Sequence, residues 1–123
     1  MVDNRSAILI AEDQIFIALE AERLLSEAFD CTVENCRRGK LSSALDENWF
    51  DIVILELSGD RTEDTRNALL ARQAGSQVVF LTAGNHPADV AEAFPDVALI
   101  MKPFNDTDMR IFVERLLMSA ESR

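Results

Sequence analysis

Histidine and cysteine are scarce in this 123-residue chain: one His, His86, and two Cys, Cys31 and Cys36. On counts alone, that argues against a histidine-rich metal site and a Cys–His catalytic couple. The two cysteines stand five residues apart and so fall on opposite faces of a strand. Free, partly buried thiols are expected, as in a reducing compartment. Positive charge is also in deficit, 12 Lys and Arg against 22 Asp and Glu, for a net charge of −10. Such a surface repels a phosphate backbone and an anionic bilayer, so neither nucleic acid nor membrane is an expected partner. No apolar run approaches the roughly 18–20 residues that span a bilayer. The opening "MVDNRSAILIAED" lacks a signal-peptide layout, so the expected location is the cytoplasm. "AEDQIF" (11–16) contains no glycine where a dinucleotide-binding loop needs one. No nucleophile–base pair marks a hydrolase.

What the chain does have is core. Apolar residues make up 48% and charged residues 28%, which suits one domain over residues 1–123, its core spanning about 7–118, with no output domain. Four apolar runs read as strands: "AILIA" (7–11), "DIVILEL" (51–57), "QVVFLT" (77–82) and "VALIM" (97–101); "CTVENC" (31–36) is a shorter one. Between them lie helical patterns. The first carries Ile17, Ala21, Leu24, Leu25 and Ala28 at helical spacing, and a short one turns Leu41, Ala44 and Leu45 inward. A third helix closes at Gly75. A turn at Ala83-Gly84-Asn85 precedes a brief helix with Pro87 at its first position. The last helix opens at Asn105 and buries Met109, Phe112, Val113, Leu116 and Leu117. Strand and helix alternate five times, and the continuous apolar strands imply a parallel sheet covered on both faces. The fold class is therefore a doubly wound five-stranded α/β domain, a three-layer sandwich.

Ligands of open parallel sheets bind beyond the carboxyl ends of the strands. Four ends here carry chemistry: Glu12-Asp13, Glu56, Thr82 and Lys102. The short second strand contributes nothing obvious. Three carboxylates in one crevice repel each other unless a divalent cation or the Lys102 ammonium intervenes.

"LIAED", "DIVILEL", "VVFLTAG" and "MKPF", in that order and on those strands, resemble the receiver domains of two-component response regulators, over Ala7 to about Leu117. "FLTAG" is similar to a subgroup of α-proteobacterial receivers. The resemblance implies the flavodoxin-like receiver fold, with Glu12, Asp13 and the Ser58 backbone carbonyl as Mg²⁺ ligands. It implies that Thr82 and Lys102 bind phosphoryl oxygens and that Lys102-Pro103 is cis. It implies partners such as a histidine kinase, a phosphotransfer protein, a downstream regulator or a second copy of the chain, met through the strand 5 and flanking-helix face.

The acceptor position, an aspartate in that family, is Glu56. Its carboxylate reaches about 1.5 Å further out, and a misplacement of about 1 Å can cost on the order of 100-fold in transfer. Mg²⁺ is therefore expected to bind weakly or not at all. Glu56 is expected to act as a partial phosphoryl mimic near Lys102 and Thr82. The position of the family's aromatic switch residue, three before the lysine, is Leu99. The alternative is an active phosphoacceptor that catalyses Mg²⁺-dependent transfer from a histidine kinase. Asp60 is expected to be a solvated loop acid, and Asp51 lies at the far end of its strand.

Overall fold

A computed structural model describes residues 5–83 and 88–121. Along these residues run β1 (Ser6–Ala11), α1 (Ile15–Ala28), β2 (Cys31–Cys36), α2 (Leu41–Glu47), β3 (Ile52–Glu56), α3 (Arg61–Gln73), β4 (Gln77–Thr82), α4 (Ala88–Ala93), β5 (Ala98–Met101) and α5 (Asp106–Glu121). A single 3₁₀ turn, Arg38–Lys40, leads from β2 into α2. All strand pairs are parallel, in the order β2-β1-β3-β4-β5. That is the 2-1-3-4-5 order of flavodoxin-like doubly wound sheets.

The period of two along each strand divides the core. Ile8, Ile10, Ile52, Ile54, Val79, Leu81 and Ile100 pack with Ala18, Ala21 and Leu25 of α1 and Met109 and Val113 of α5. Leu9, Ala11, Val53, Leu55, Val78 and Phe80 pack with Leu41 of α2, Ala68 and Ala71 of α3, and Val90 of α4. Cys31 joins the first cluster and Cys36 the second, so the two thiols do face opposite ways and remain free. β3 is buried at every position because it lies between β1 and β4 with helices above and below.

Some expectations need correction. Ala28 is exposed, and Ala18, at the opposite edge of the α1 stripe, is buried instead. Asp60 is exposed in its loop, as expected, and its carboxylate also accepts from the backbone N–H of Thr62 (2.9 Å) and Glu63 (3.2 Å), capping α3. Its spacing to Glu63 is the pattern of a capping box, a signal present in the sequence. Gly75 follows α3 at φ +92°, the left-handed conformation expected of a helix-terminating glycine. Asn105 Oδ1 accepts from Asp108 N (2.8 Å) at the start of α5. The expected turn at Ala83-Gly84-Asn85 and the helical position of Pro87 lie outside the described residues, Ala83 apart.

Removing the α3 cap should be measurable. Asp60→Ala should lower unfolding free energy in urea by about 1 kcal/mol, with Asp60→Asn close to wild type. Equal losses in both variants would show that the cap hydrogen bonds contribute nothing.

Candidate functional site

The same alternation that builds the core assembles the site. Glu12 follows β1, Glu56 ends β3 and Lys102 follows β5, each in step with the residues that face α1 and α5. The three side chains thus rise on one side of the sheet at its carboxyl edge. β5 lies two strands from β3, roughly 10 Å away, so Lys102 must extend across the end of β4 to reach it. The backbone holds it there: Lys102 N donates to the carbonyl of Thr82 (2.7 Å), and the Lys102-Pro103 bond is cis. Thr82 itself closes β4 and is buried.

Lys102 Nζ lies 2.6 Å from Glu56 Oε2 and donates to Glu12 Oε1 at 3.0 Å, with Glu12 Oε2 at 2.8 Å. These side chains are nearly withdrawn from water, at 9% exposure for Lys102, 10% for Glu56 and 0% for Glu12. Glu56 is therefore turned toward Lys102. Its second oxygen, Oε1, accepts from Asp13 N (3.1 Å). Glu12 Oε1 also accepts from Gln14 N (3.0 Å), which fixes the turn into α1.

The second strand does contribute, contrary to expectation. Arg38, just past β2, sends its guanidinium into the crevice. Nη2 donates to Asp13 Oδ2 (2.9 Å), Nε lies 3.1 Å from Glu56 Oε1, and Nη1 donates to Glu63 Oε1 (3.5 Å). Arg38 N also donates to Asp13 Oδ1 (2.9 Å). No motif marks this residue, because "CRRGK" reads as an ordinary basic loop.

Asp64 was equally hidden. It is buried in α3 and organises the loop after β3: Oδ1 accepts from Ser58 N (2.8 Å) and Ser58 Oγ (2.9 Å), and Oδ2 from Gly59 N (3.2 Å). Gly59 sits at φ +90°, where a side chain would be strained. The loop holding Ser58 is thus set by α3.

Charge is distributed unevenly between the two glutamates. Burial first, then hydrogen bonding with Glu56, pushes Glu12 up from 4.5 to about 7 despite Lys102. Burial would raise Glu56 as well, but hydrogen bonds from Glu12, Lys102 and Asp13 N outweigh it and hold Glu56 at about 2. Glu12 and Glu56 titrate as a coupled pair, one displaced upward and the other downward. Burial works against the charge of Lys102, yet its two carboxylate partners keep it above its ordinary value. Arg38 is likewise raised, with Asp13 its main support against burial.

The residues do not fit the Mg²⁺ that the receiver resemblance implies. Among the described residues, no three His, Cys, Asp or Glu side chains converge as a metal's donors would. Both Asp13 oxygens are engaged by Arg38, and both Glu56 oxygens by protein N–H groups or cations. Mg²⁺ needs oxygens at about 2.0–2.1 Å in near-octahedral array, whereas here a cationic side chain stands between the carboxylates.

Comparison with known proteins agrees with this architecture. No protein-family model matches the chain, and no curated protein does. Solved structures match across nearly its whole length. One is the signal receiver domain of an HD domain-containing protein from Pseudomonas fluorescens Pf-5, with TM-score 0.80 and 20% identity over 98% of this chain and 100% of that one. A second is a response regulator receiver protein from Sinorhizobium medicae WSM419, with TM-score 0.77 and 22% identity over 93% of this chain and 95% of that one. A third is the response regulatory domain of protein MrkE from Klebsiella pneumoniae, with TM-score 0.78 and 17% identity over 95% and 99%. At these identities the likeness establishes the receiver fold. No helix among the described residues is long and apolar enough to cross a membrane.

The raised Glu12 carboxyl has a consequence for stability. Between its unfolded value of 4.5 and its folded value of about 7, the folded state holds a proton that the unfolded chain has released. Glu12's contribution is therefore full below pH 4.5 and is lost as pH rises through about 7. Urea midpoints across this window should fall with pH in wild type and flatten in Glu12→Gln. An unchanged slope in the variant would assign the proton elsewhere.

Proposed function

We propose that this chain is a regulatory receiver domain that works without a phosphorylation cycle, its output set by Glu56 and delivered by protein–protein contact. The observation that carries this reading is the 2.6 Å contact between Glu56 Oε2 and Lys102 Nζ. In receivers, as the resemblance implies, that lysine grips a phosphoryl oxygen. A carboxylate held on it supplies part of the same charge permanently, in a charge-assisted hydrogen bond. The mimicry is partial, because a phosphoryl group brings about two charges and three oxygens.

Protein contact is supported by apolar surface beside the site. Met101, next to Lys102, is 58% exposed; separately, Ile15, Phe16 (84%) and Leu19 are exposed within one turn of α1, just past Asp13. Grouped exposed apolar residues of this kind mark interaction surfaces. The proposed partner is a histidine kinase, a phosphotransfer protein, a downstream regulator or a second copy of the chain. In this reading the protein performs no group transfer of its own.

Two measurements test the proposal. Intact-mass spectrometry after incubation with Mg²⁺ and acetyl phosphate should show wild type unmodified. A gain of one phosphoryl group would restore the active-phosphoacceptor alternative, for which Glu12, Asp13, Thr82 and Lys102 are all present. In NMR spectra, Glu56→Ala should shift amides of β5 and α4 as well as those around residue 56. Shifts confined to the immediate neighbours would make Glu56 a local structural group with no part in output.

A further inference from the structure

We infer that the Arg38 guanidinium is a built-in replacement for the divalent cation of this fold, and that it closes the site to metal. Three carboxylates from three separate segments meet it: Asp13 before α1, Glu56 at the end of β3 and Glu63 in α3. A planar guanidinium has a rigid fork of donors that can address several carboxylates at once, whereas an ammonium is a point charge. Arg38 donates this way through Nη1 and Nη2, its Nε lies 3.1 Å from Glu56 Oε1 in an ion pair without a hydrogen bond, and its backbone N–H holds the remaining Asp13 oxygen. Its side chain is only 18% exposed, so the charge acts in a poorly screened setting.

The position is set by the chain path. β2 runs parallel to β1 with Ala11 beside Cys36, and Glu12 N donates to the Cys36 carbonyl (3.0 Å). The two strands therefore leave the sheet together, which brings Arg38 over Asp13. The 3₁₀ turn beginning at Arg38 then carries the chain away into α2 and leaves the guanidinium facing the crevice. A hydrated Mg²⁺ entering between Asp13 and Glu56 would have to displace a cation already bound to both.

The inference stands apart from the phosphoryl-mimic reading, because it concerns Asp13 and the metal rather than Lys102. Its test is a Mn²⁺ titration of the full chain, followed by paramagnetic broadening of backbone amides. Wild type should show no selective broadening at Asp13, Arg38 or Leu57 in the millimolar range. Arg38→Met, which keeps the apolar stem, should show it there, with affinity raised by about ten-fold or more for removal of one poorly screened charge. Arg38→Gln serves if the methionine variant fails to fold. Selective broadening in wild type overturns the inference, and so does a folded Arg38 variant that still binds no metal at these amides.

A second arm reads chemistry. With acetyl phosphate and Mg²⁺ in the buffer, Glu56→Asp alone should stay unmodified. Glu56→Asp combined with Arg38→Met should gain one phosphoryl group. In that step the P–O bond to acetate breaks as a carboxylate oxygen bonds to phosphorus, and acetate leaves with the electron pair. Equal modification of the single and double variants would show that Arg38 does not guard the site. Phosphorylation of wild type would count against the proposed function, while the Mn²⁺ result still judges Arg38 separately.

Discussion

Glu12 and Glu56 can share the carboxyl edge of this sheet because Lys102 puts its ammonium between them. Both glutamates are nearly cut off from water, and two buried carboxylates in contact cannot both ionise freely. The strain is relieved in two ways: Lys102 bonds to both, and the pair titrates apart, Glu12 shifted up and Glu56 shifted down. Much else follows from this contact. It holds the end of β5 over β4 and links β1 to β3. It also turns Glu56 inward, so that Oε1 is left for Asp13 N and Arg38.

Around that contact the site is closed by internal partners. Arg38 ties the β1–α1 loop to the end of β3 and to α3, and Asp64 holds the loop at Ser58 and Gly59. A receiver that cycles must exchange metal and phosphoryl groups at this edge. Here the corresponding positions are engaged by the chain's own side chains. That is the physical basis for proposing a fixed regulatory state, read by a protein partner at exposed apolar residues such as those around Phe16 on α1.

Much of this was legible in the sequence. Among the described residues, apolar runs and helical spacings located the five strands and five α-helices, though not the 3₁₀ turn at Arg38–Lys40, and the rule that parallel sheets bind at their carboxyl ends picked out Glu12, Asp13, Glu56, Thr82 and Lys102. The cap at Asp60 was legible too, through its spacing to Glu63. The burial of Ala18 in place of Ala28 lay beyond reach, because a stripe of helical spacing leaves its edges open until the neighbouring elements are in place.

Sequence by itself determined the fold and which residues lie at the carboxyl edge of its sheet, because both follow from periodicity: two residues per strand repeat, and 3.6 per helical turn. Tertiary structure alone decided which charges answer which. Arg38 comes from a polar loop with no pattern of its own. Its role arises because β2 lies beside β1 and leaves the sheet next to Asp13. Asp64 was hidden for the same reason, since its partners, Ser58 and Gly59, are met only when α3 folds back on the end of β3. Charge pairing depends on distance in space, and the pattern of residues along a strand or helix does not carry it.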